Sequence, residues 1–138
     1  MKDALPGYSG KPLAAKLGIG EGLDVHAINP PAEYALWLAP LPPGARIVSR
    51  RSAGTRFVHL FATQRATLGQ ALQVQRKTLP ADATLWVSWP KKSAKVATDI
   101  TEDTIRELAL PLGFVDVKVC AVSEVWSGLK LVVRKSLR

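Results

Sequence analysis

The sequence is short of the residues on which much protein chemistry depends. It has one cysteine, Cys120, which excludes an intramolecular disulfide and any cysteine-built zinc cluster. Its two histidines, His26 and His59, fall in separate predicted strands with no second histidine beside either, a poor basis for a metal site. No apolar run approaches the ~18–20 residues of a membrane-spanning helix. The opening Met1-Lys2-Asp3-Ala4-Leu5-Pro6 carries no apolar signal-peptide core. The expectation is a cytoplasmic protein with no membrane partner. The phosphate-cradling GxxxxGK[ST] and a GxGxxG after the first strand are both missing, and no internal repeat or low-complexity tract is present.

What is there reads as an ordinary globular chain. Of 138 residues, 47% are hydrophobic and 22% charged, the balance of a folded rather than a disordered protein. The length suits one domain of ~100–150 residues, so residues 1–138 are expected to form a single α/β domain in which 1–22 is a lead-in with a short helix. Acidic residues are scarce in one place. Between 46 and 95, Asp82 stands alone against ten basic residues, and this stretch accounts for the net charge of +8. A one-sided basic field attracts nucleic acid, phosphorylated ligands or acidic partners; it also serves as a solubilising surface.

Punctuation and periodicity divide the chain into alternating elements. Gly7-Tyr8-Ser9-Gly10 predicts a turn, residues 12–17 a short helix, and Gly18 its end. Strands are expected at 24–28, 46–49, 57–62, 84–88, 115–122 and 129–134, with helices over 32–38, over about 64–79 and from Thr101 to Gly113. Thr101 is the expected N-cap of that last helix, with Glu102 and Asp103 in its first turn, and Ile100 and Ile105 have the spacing of a hydrophobic staple. In the fifth strand Val115, Val117, Val119 and Ala121 alternate onto one face. Residues 123–128 are too few for a parallel crossover and predict an antiparallel hairpin.

Alternation of strands with helices predicts an α/β fold: a small Rossmann-like, mostly parallel sheet with an antiparallel C-terminal hairpin. The seven residues 50–56 exclude a crossover helix between the second and third strands. An extended crossover is favoured over a hairpin there, and the C-terminal strand is expected at a sheet edge.

Ligands of open parallel sheets bind beyond the carboxyl ends of the strands, where the strand order reverses. That rule selects Asn29-Pro30-Pro31, Thr63-Gln64-Arg65, the loop from Trp89, and the hairpin tip with Glu124 and Trp126. Within this set the candidate ligand rim is Trp89, Lys91, Lys92, Trp126 and the helix start at Thr101, suited to an aromatic ring and an anion. Arg46, Arg50, Arg51, Arg56 and Lys95 are the alternative candidates, for nucleic acid or another anion. The bland readings are weighed beside these. The tryptophans also suit a plug at the end of the sheet, strand histidines are more often packed than catalytic, and Cys120 sits mid-strand as an inert thiol. Asp99, Glu102 and Asp103 suit capping better than acid–base work.

Four segments, Gly7-Tyr8-Ser9-Gly10, Trp86-Val87-Ser88-Trp89-Pro90-Lys91, residues 117–122 and Trp126-Ser127-Gly128-Leu129-Lys130-Leu131, carry a likeness over nearly the whole chain. Through them it resembles a bacterial family known by its sequence rather than by any activity. That family is similar to shortened Rossmann-like methyltransferases. Similar features here are Gly20-Glu21-Gly22 before the first strand, Leu79-Pro80-Ala81-Asp82 before the fourth, and the closing hairpin. The resemblance implies the scaffold and raises S-adenosylmethionine as a cofactor. Two departures fall on that cofactor: Asn29-Pro30-Pro31 replaces a glycine-rich loop, and Ser49-Arg50-Arg51 stands where a carboxylate would hold the ribose. The expectation is a non-catalytic binding or adaptor domain without a cofactor, taking an anionic ligand or a protein partner. The alternatives are a divergent methyl-donor- or nucleotide-binding enzyme and a nucleic-acid-binding protein.

Overall fold

The computed structural model describes residues 11–138, and the Gly7–Gly10 turn lies outside them. The described chain forms α1 (Leu13–Leu17), β1 (Asp24–Ile28), α2 (Tyr34–Leu38), β2 (Arg46–Val48), β3 (Phe57–Phe61) and α3 (Arg65–Thr78). It continues through β4 (Thr84–Pro90), α4 (Glu102–Ala109), β5 (Phe114–Ala121) and β6 (Trp126–Val133). The six strands make one sheet in the order β2-β1-β3-β4-β6-β5. The first four strands are parallel, and β6 runs antiparallel to both β4 and β5. The architecture is therefore the mostly parallel α/β sheet with an antiparallel C-terminal hairpin that the alternation of elements implies.

Local chemistry accounts for the element ends. Gly18 closes α1 and Gly113 follows α4 and its short 3-10 extension; both stand at positive φ, 84° and 101°, where a side chain would be strained. Thr101 caps α4 reciprocally with Thr104: each backbone N–H donates to the other's hydroxyl, at 3.0 and 3.2 Å. Ile100 and Ile105 are both buried beside that cap. The link from β2 to β3 is a crossover and not a hairpin, since both strands pair with β1 rather than with each other, and a turn closed by the Thr55 N–H on the Ser52 carbonyl interrupts its extended course.

Strand alternation sorts the core into two layers. On one face Val58, Leu60, Leu85, Val87, Leu129 and Leu131 pack with Leu68 and Leu72 of α3 and Ile105 and Ala109 of α4. On the other, Val25, Phe57, Phe61 and Trp86 pack with Leu17 of α1 and Tyr34 and Leu38 of α2. Gly128 is a close approach: a Cβ there would meet the Trp86 ring at 3.2 Å and Val122 at 3.1 Å.

The hairpin departs from expectation twice. β6 lies inside the sheet, between β4 and β5, and the edges are β2 and β5. An interior β6 lets β4 gain the antiparallel partner, with seven residue pairs from Thr84↔Val132 to Pro90↔Trp126. The four alternating residues of β5 also do not share a face. A register irregularity between Asp116 and Lys118 places Val115 opposite Val132 but Val119 opposite Leu129, and Val117 and Val119 are solvent-exposed. One extra residue in a bulge inverts the side-chain parity beyond it.

Candidate functional site at the strand switch point

The chain leaves β1 for β2 on one side and returns to β3 on the other, so the strand order reverses between β1 and β3. Side chains beyond the carboxyl ends of such strands leave a crevice, because the two connections diverge. A cleft of about 250 Å³ opens there, lined by Asn29 after β1, Thr63, Gln64 and Thr67 after β3, and the rings of Phe61 and Trp126. Asn29 takes a left-handed φ of 55°, a conformation asparagine tolerates better than most residues. The Thr63 carbonyl accepts from the Thr98 hydroxyl at 2.7 Å and the Asp99 N–H at 3.3 Å, which pins the rim from outside. The Asp99 carboxylate accepts from the Arg65 N–H at 2.6 Å. It thus caps α3, whose own Gln64 supplies no side-chain cap.

The aromatic wall is braced from beneath. Trp126 meets Phe61 edge to face at 5.1 Å, Phe61 stacks on His59 at 4.3 Å, and Tyr34 sets its ring edge-on to both. His59 is fully buried and bonded at both ring nitrogens, to the Tyr34 hydroxyl through Nδ1 and the Ser88 hydroxyl through Nε2, each at 2.7 Å. A neutral imidazole donates at one nitrogen and accepts at the other, so this chain is satisfied without a charge. Burial pushes the His59 pKa down from 6.5 to about 3 and drives the Tyr34 hydroxyl upward, so both stay neutral at ordinary pH. His59 is a packed strand histidine that ties α2 to the sheet. Nothing in the residues 32–38 singled out Tyr34 and Trp37 as part of a site. Their three-residue spacing, which puts both on one helix face, was the available signal.

The structure distributes the sequence-selected residues unevenly. Pro90 lies opposite Trp126 and Trp89 opposite Ser127, so Trp89 and Trp126 occupy opposite faces of the sheet. Trp89 is buried in the aliphatic layer with Ile100, while Trp126 is half-buried at the cleft. Lys91 does sit at the hairpin tip, its N–H donating to the Val125 carbonyl at 2.7 Å, and Lys92 is exposed beside it. The Thr101 hydroxyl is taken up by the α4 cap. The basic alternative is divided between the two ends of the strands. Arg46 pairs with Asp24 at 2.9 Å and Arg56 with Asp82 at 3.1 Å at the amino ends. Arg51 bonds Gln75 and Thr78 of α3, whereas Arg50 and Lys95 are exposed. Arg56 and Lys91 are thus separated by the length of β4, roughly 20 Å at ~3.3 Å per residue.

No family model matches the chain, and no curated protein does. Solved structures match its fold. An S-adenosylmethionine-dependent methyltransferase from Aquifex aeolicus superposes with a TM-score of 0.63 at 9% identity, over 88% of this chain and 87% of the other. Fibrillarin of Aeropyrum pernix, with natively bound S-adenosyl-L-methionine, gives 0.58 at 12% identity over 87% and 73%. LepI in complex with the same compound gives 0.53 at 16% identity; the match covers 90% of this chain and 47% of that one. Identities this low show the fold alone. Tested against that cofactor, the residues at the cleft do not fit the usual mode. Pro30 and Pro31 offer no backbone N–H, β2 runs into Ser49 and Arg50, and no carboxylate lines the cleft. Among the described residues no helix is long and apolar enough to cross a membrane, and no group of three or more His, Cys, Asp or Glu could hold a metal ion. The fold is that of the Rossmann-like methyltransferases.

Proposed function

We propose that the protein binds the base of a nucleoside or nucleotide in the cleft between β1 and β3, on a methyltransferase-like scaffold that has given up the usual methyl-donor anchors. One observation carries the reading: an uncharged cleft at the switch point joins the Trp126 and Phe61 rings to the amides of Asn29 and Gln64 and the hydroxyls of Thr63 and Thr67. Aromatic faces take a planar heterocycle, and amides and hydroxyls take the donors and acceptors of its edge. Neighbours of the same fold that hold S-adenosylmethionine, itself a nucleoside, support the class of ligand. Lys91 and Lys92 stand at the adjacent hairpin tip, where they suit a nucleotide's phosphate. The reading takes the chain as a bacterial cytoplasmic binding protein, on its tryptophan-containing segments and its lone Cys120.

Thermal-shift titration with adenosine, AMP and S-adenosylmethionine tests this. A ligand at ~100 times its Kd stabilises the native state by about 2.7 kcal/mol, a rise of several degrees for a chain of this size. Adenosine and AMP should both produce that rise, and Trp126→Ala should abolish it. A flat response to every nucleoside at millimolar concentration would reject the reading. The lysines are tested separately: Lys91→Glu/Lys92→Glu should erase any preference of AMP over adenosine, and an unchanged preference would remove them from the site.

A further inference from the structure

We infer that the protein has a second recess, built to hold an alkylated ammonium group of a small organic cation. It lies between α2 and the β5–β6 hairpin tip, has a volume of about 270 Å³, and is lined by Glu33, Trp37, Ser123, Glu124, Val125 and Trp126. It shares only Trp126 with the cleft at the switch point.

The sign of its charge is opposite to that of the protein. The chain carries +8, yet this recess is lined by two carboxylates and no basic side chain. Neither Glu33 nor Glu124 makes an ion pair with a described residue, and both are exposed at its mouth, while Arg106 alone engages three carboxylates elsewhere. The walls are held in place. Trp37 meets Tyr34 edge-on at 6.4 Å, and Trp126 meets Phe61 at 5.1 Å, so both half-buried indoles are braced by the same aromatic chain. The Ser123 hydroxyl accepts from the N–H groups of Val125 and Trp126, both at 3.1 Å, which closes the tip that carries Glu124.

Indole faces attract a cation through the ring quadrupole, and they favour one that is large and weakly hydrated. Two carboxylates add charge complementarity but leave most of the coordination shell of a hard divalent ion empty, since such an ion demands about six oxygen ligands. Indole walls with acidic ends thus select an alkylammonium over Mg²⁺ and over a neutral molecule of the same shape.

The test is tryptophan-fluorescence titration of the full chain with tetramethylammonium at constant ionic strength, with tert-butanol and Mg²⁺ in parallel. Saturable binding of tetramethylammonium that exceeds both controls is the expected result. Glu33→Gln/Glu124→Gln, at two exposed positions, should weaken it about tenfold, at ~threefold for each exposed charge removed. Trp37→Leu should weaken it further. Equal binding of tert-butanol, preference for Mg²⁺, or no saturation by 100 mM (on the order of the weakest useful affinity) would overturn the inference. So would full affinity in the double glutamine variant. Because these variants leave Asn29, Thr63 and Gln64 untouched, the adenosine response separates failure here from failure of the nucleoside cleft.

Discussion

The two faces of the sheet solve the same packing problem with different materials. Beneath α3 and α4 the buried layer is almost wholly aliphatic, with Trp89 and Phe114 at its margins. Beneath α1 and α2 it mixes aliphatic side chains with the rings of Tyr34, Phe57, Phe61 and Trp86 and carries polar groups: Tyr34, His59 and Ser88 in one hydrogen-bonded chain, and Trp86 donating its indole N–H to the Leu17 carbonyl at 2.9 Å. Both recesses are walled by rings continuous with the second face, Trp37 and Trp126 in one and Phe61 and Trp126 in the other, although the switch-point cleft also reaches Thr67 in the first turn of α3. Aliphatic layers close completely because Leu and Val fill space in many ways. Rings joined edge to face are held in fewer orientations, and here they end at the two recesses. On the functional reading proposed above, stability belongs mainly to one face and recognition to the rings of the other.

The sharpest way to break the comparison is acid, since the fully buried histidine, His59, lies on the aromatic face. His59 has a folded pKa of about 3 against 6.5 unfolded. Above pH 6.5 the ring is neutral in both states and its contribution to stability is complete. As pH falls from 6.5 toward 3 the unfolded chain takes up a proton that the fold refuses, and stability is lost on the order of 4 kcal/mol. His26, half-buried on the other face beside Val58, has its pKa lowered by desolvation as well, so the part owed to the aromatic face is the part that His59→Phe removes. Urea denaturation across this pH window should show a steep loss for the native chain. In His59→Phe, which keeps a stacked ring but cannot protonate, the loss should be smaller even though the variant starts from a lower stability. Parallel pH profiles would show that another group governs the acid response.

A paired substitution sets the faces against each other directly. Leu72, fully buried under α3, should cost about 3 kcal/mol when cut to alanine, the usual loss for a cavity in a core that relaxes only in part. Adenosine affinity should stay within twofold, because Leu72 reaches neither recess. Phe61→Leu, nearer to volume-conserving, should cost less stability, roughly 1.5 kcal/mol, but more affinity, since Phe61 backs Trp126 and lines the cleft. Denaturation midpoints and adenosine titrations on the two variants would contradict the division of labour if both properties fell together.

Much of the frame is readable from residues that act locally. The capping threonine, Gly18 and Gly113, the prolines after Asn29 and the helical spacing of Leu68 and Leu72 each state a boundary or a face without help from distant chain. The short link before β3 excludes a crossover helix by its length alone. The hairpin is where local reading fails. Residues 123–128 predict the turn, but which arm joins β4 is decided by a ladder whose partners are some forty residues apart. Without that register, the parity of Trp89 against Trp126 is invisible, and two tryptophans at neighbouring loops read as one rim. The bulge after Asp116 is invisible for the same reason, as every residue of β5 suits a strand. The switch-point loops are legible from topology, whereas the ring contacts that make a cleft of them are not, because Tyr34, His59 and Trp126 meet only in the folded sheet.

Thr101 separates these two kinds of reading with the smallest effect. As a ligand residue at a helix start, its loss would weaken anion binding and leave the fold alone. As one half of the reciprocal cap with Thr104, its hydroxyl is already engaged, and no residue of α4 lines either recess. Thr101→Ala should therefore cost about 1 kcal/mol of stability, with Thr101→Ser recovering most of it, since serine restores the acceptor for the Thr104 N–H. Affinity for adenosine and AMP should not change in either variant. A drop in AMP affinity without a drop in melting temperature would return Thr101 to the site and extend recognition from the first turn of α3 to that of α4.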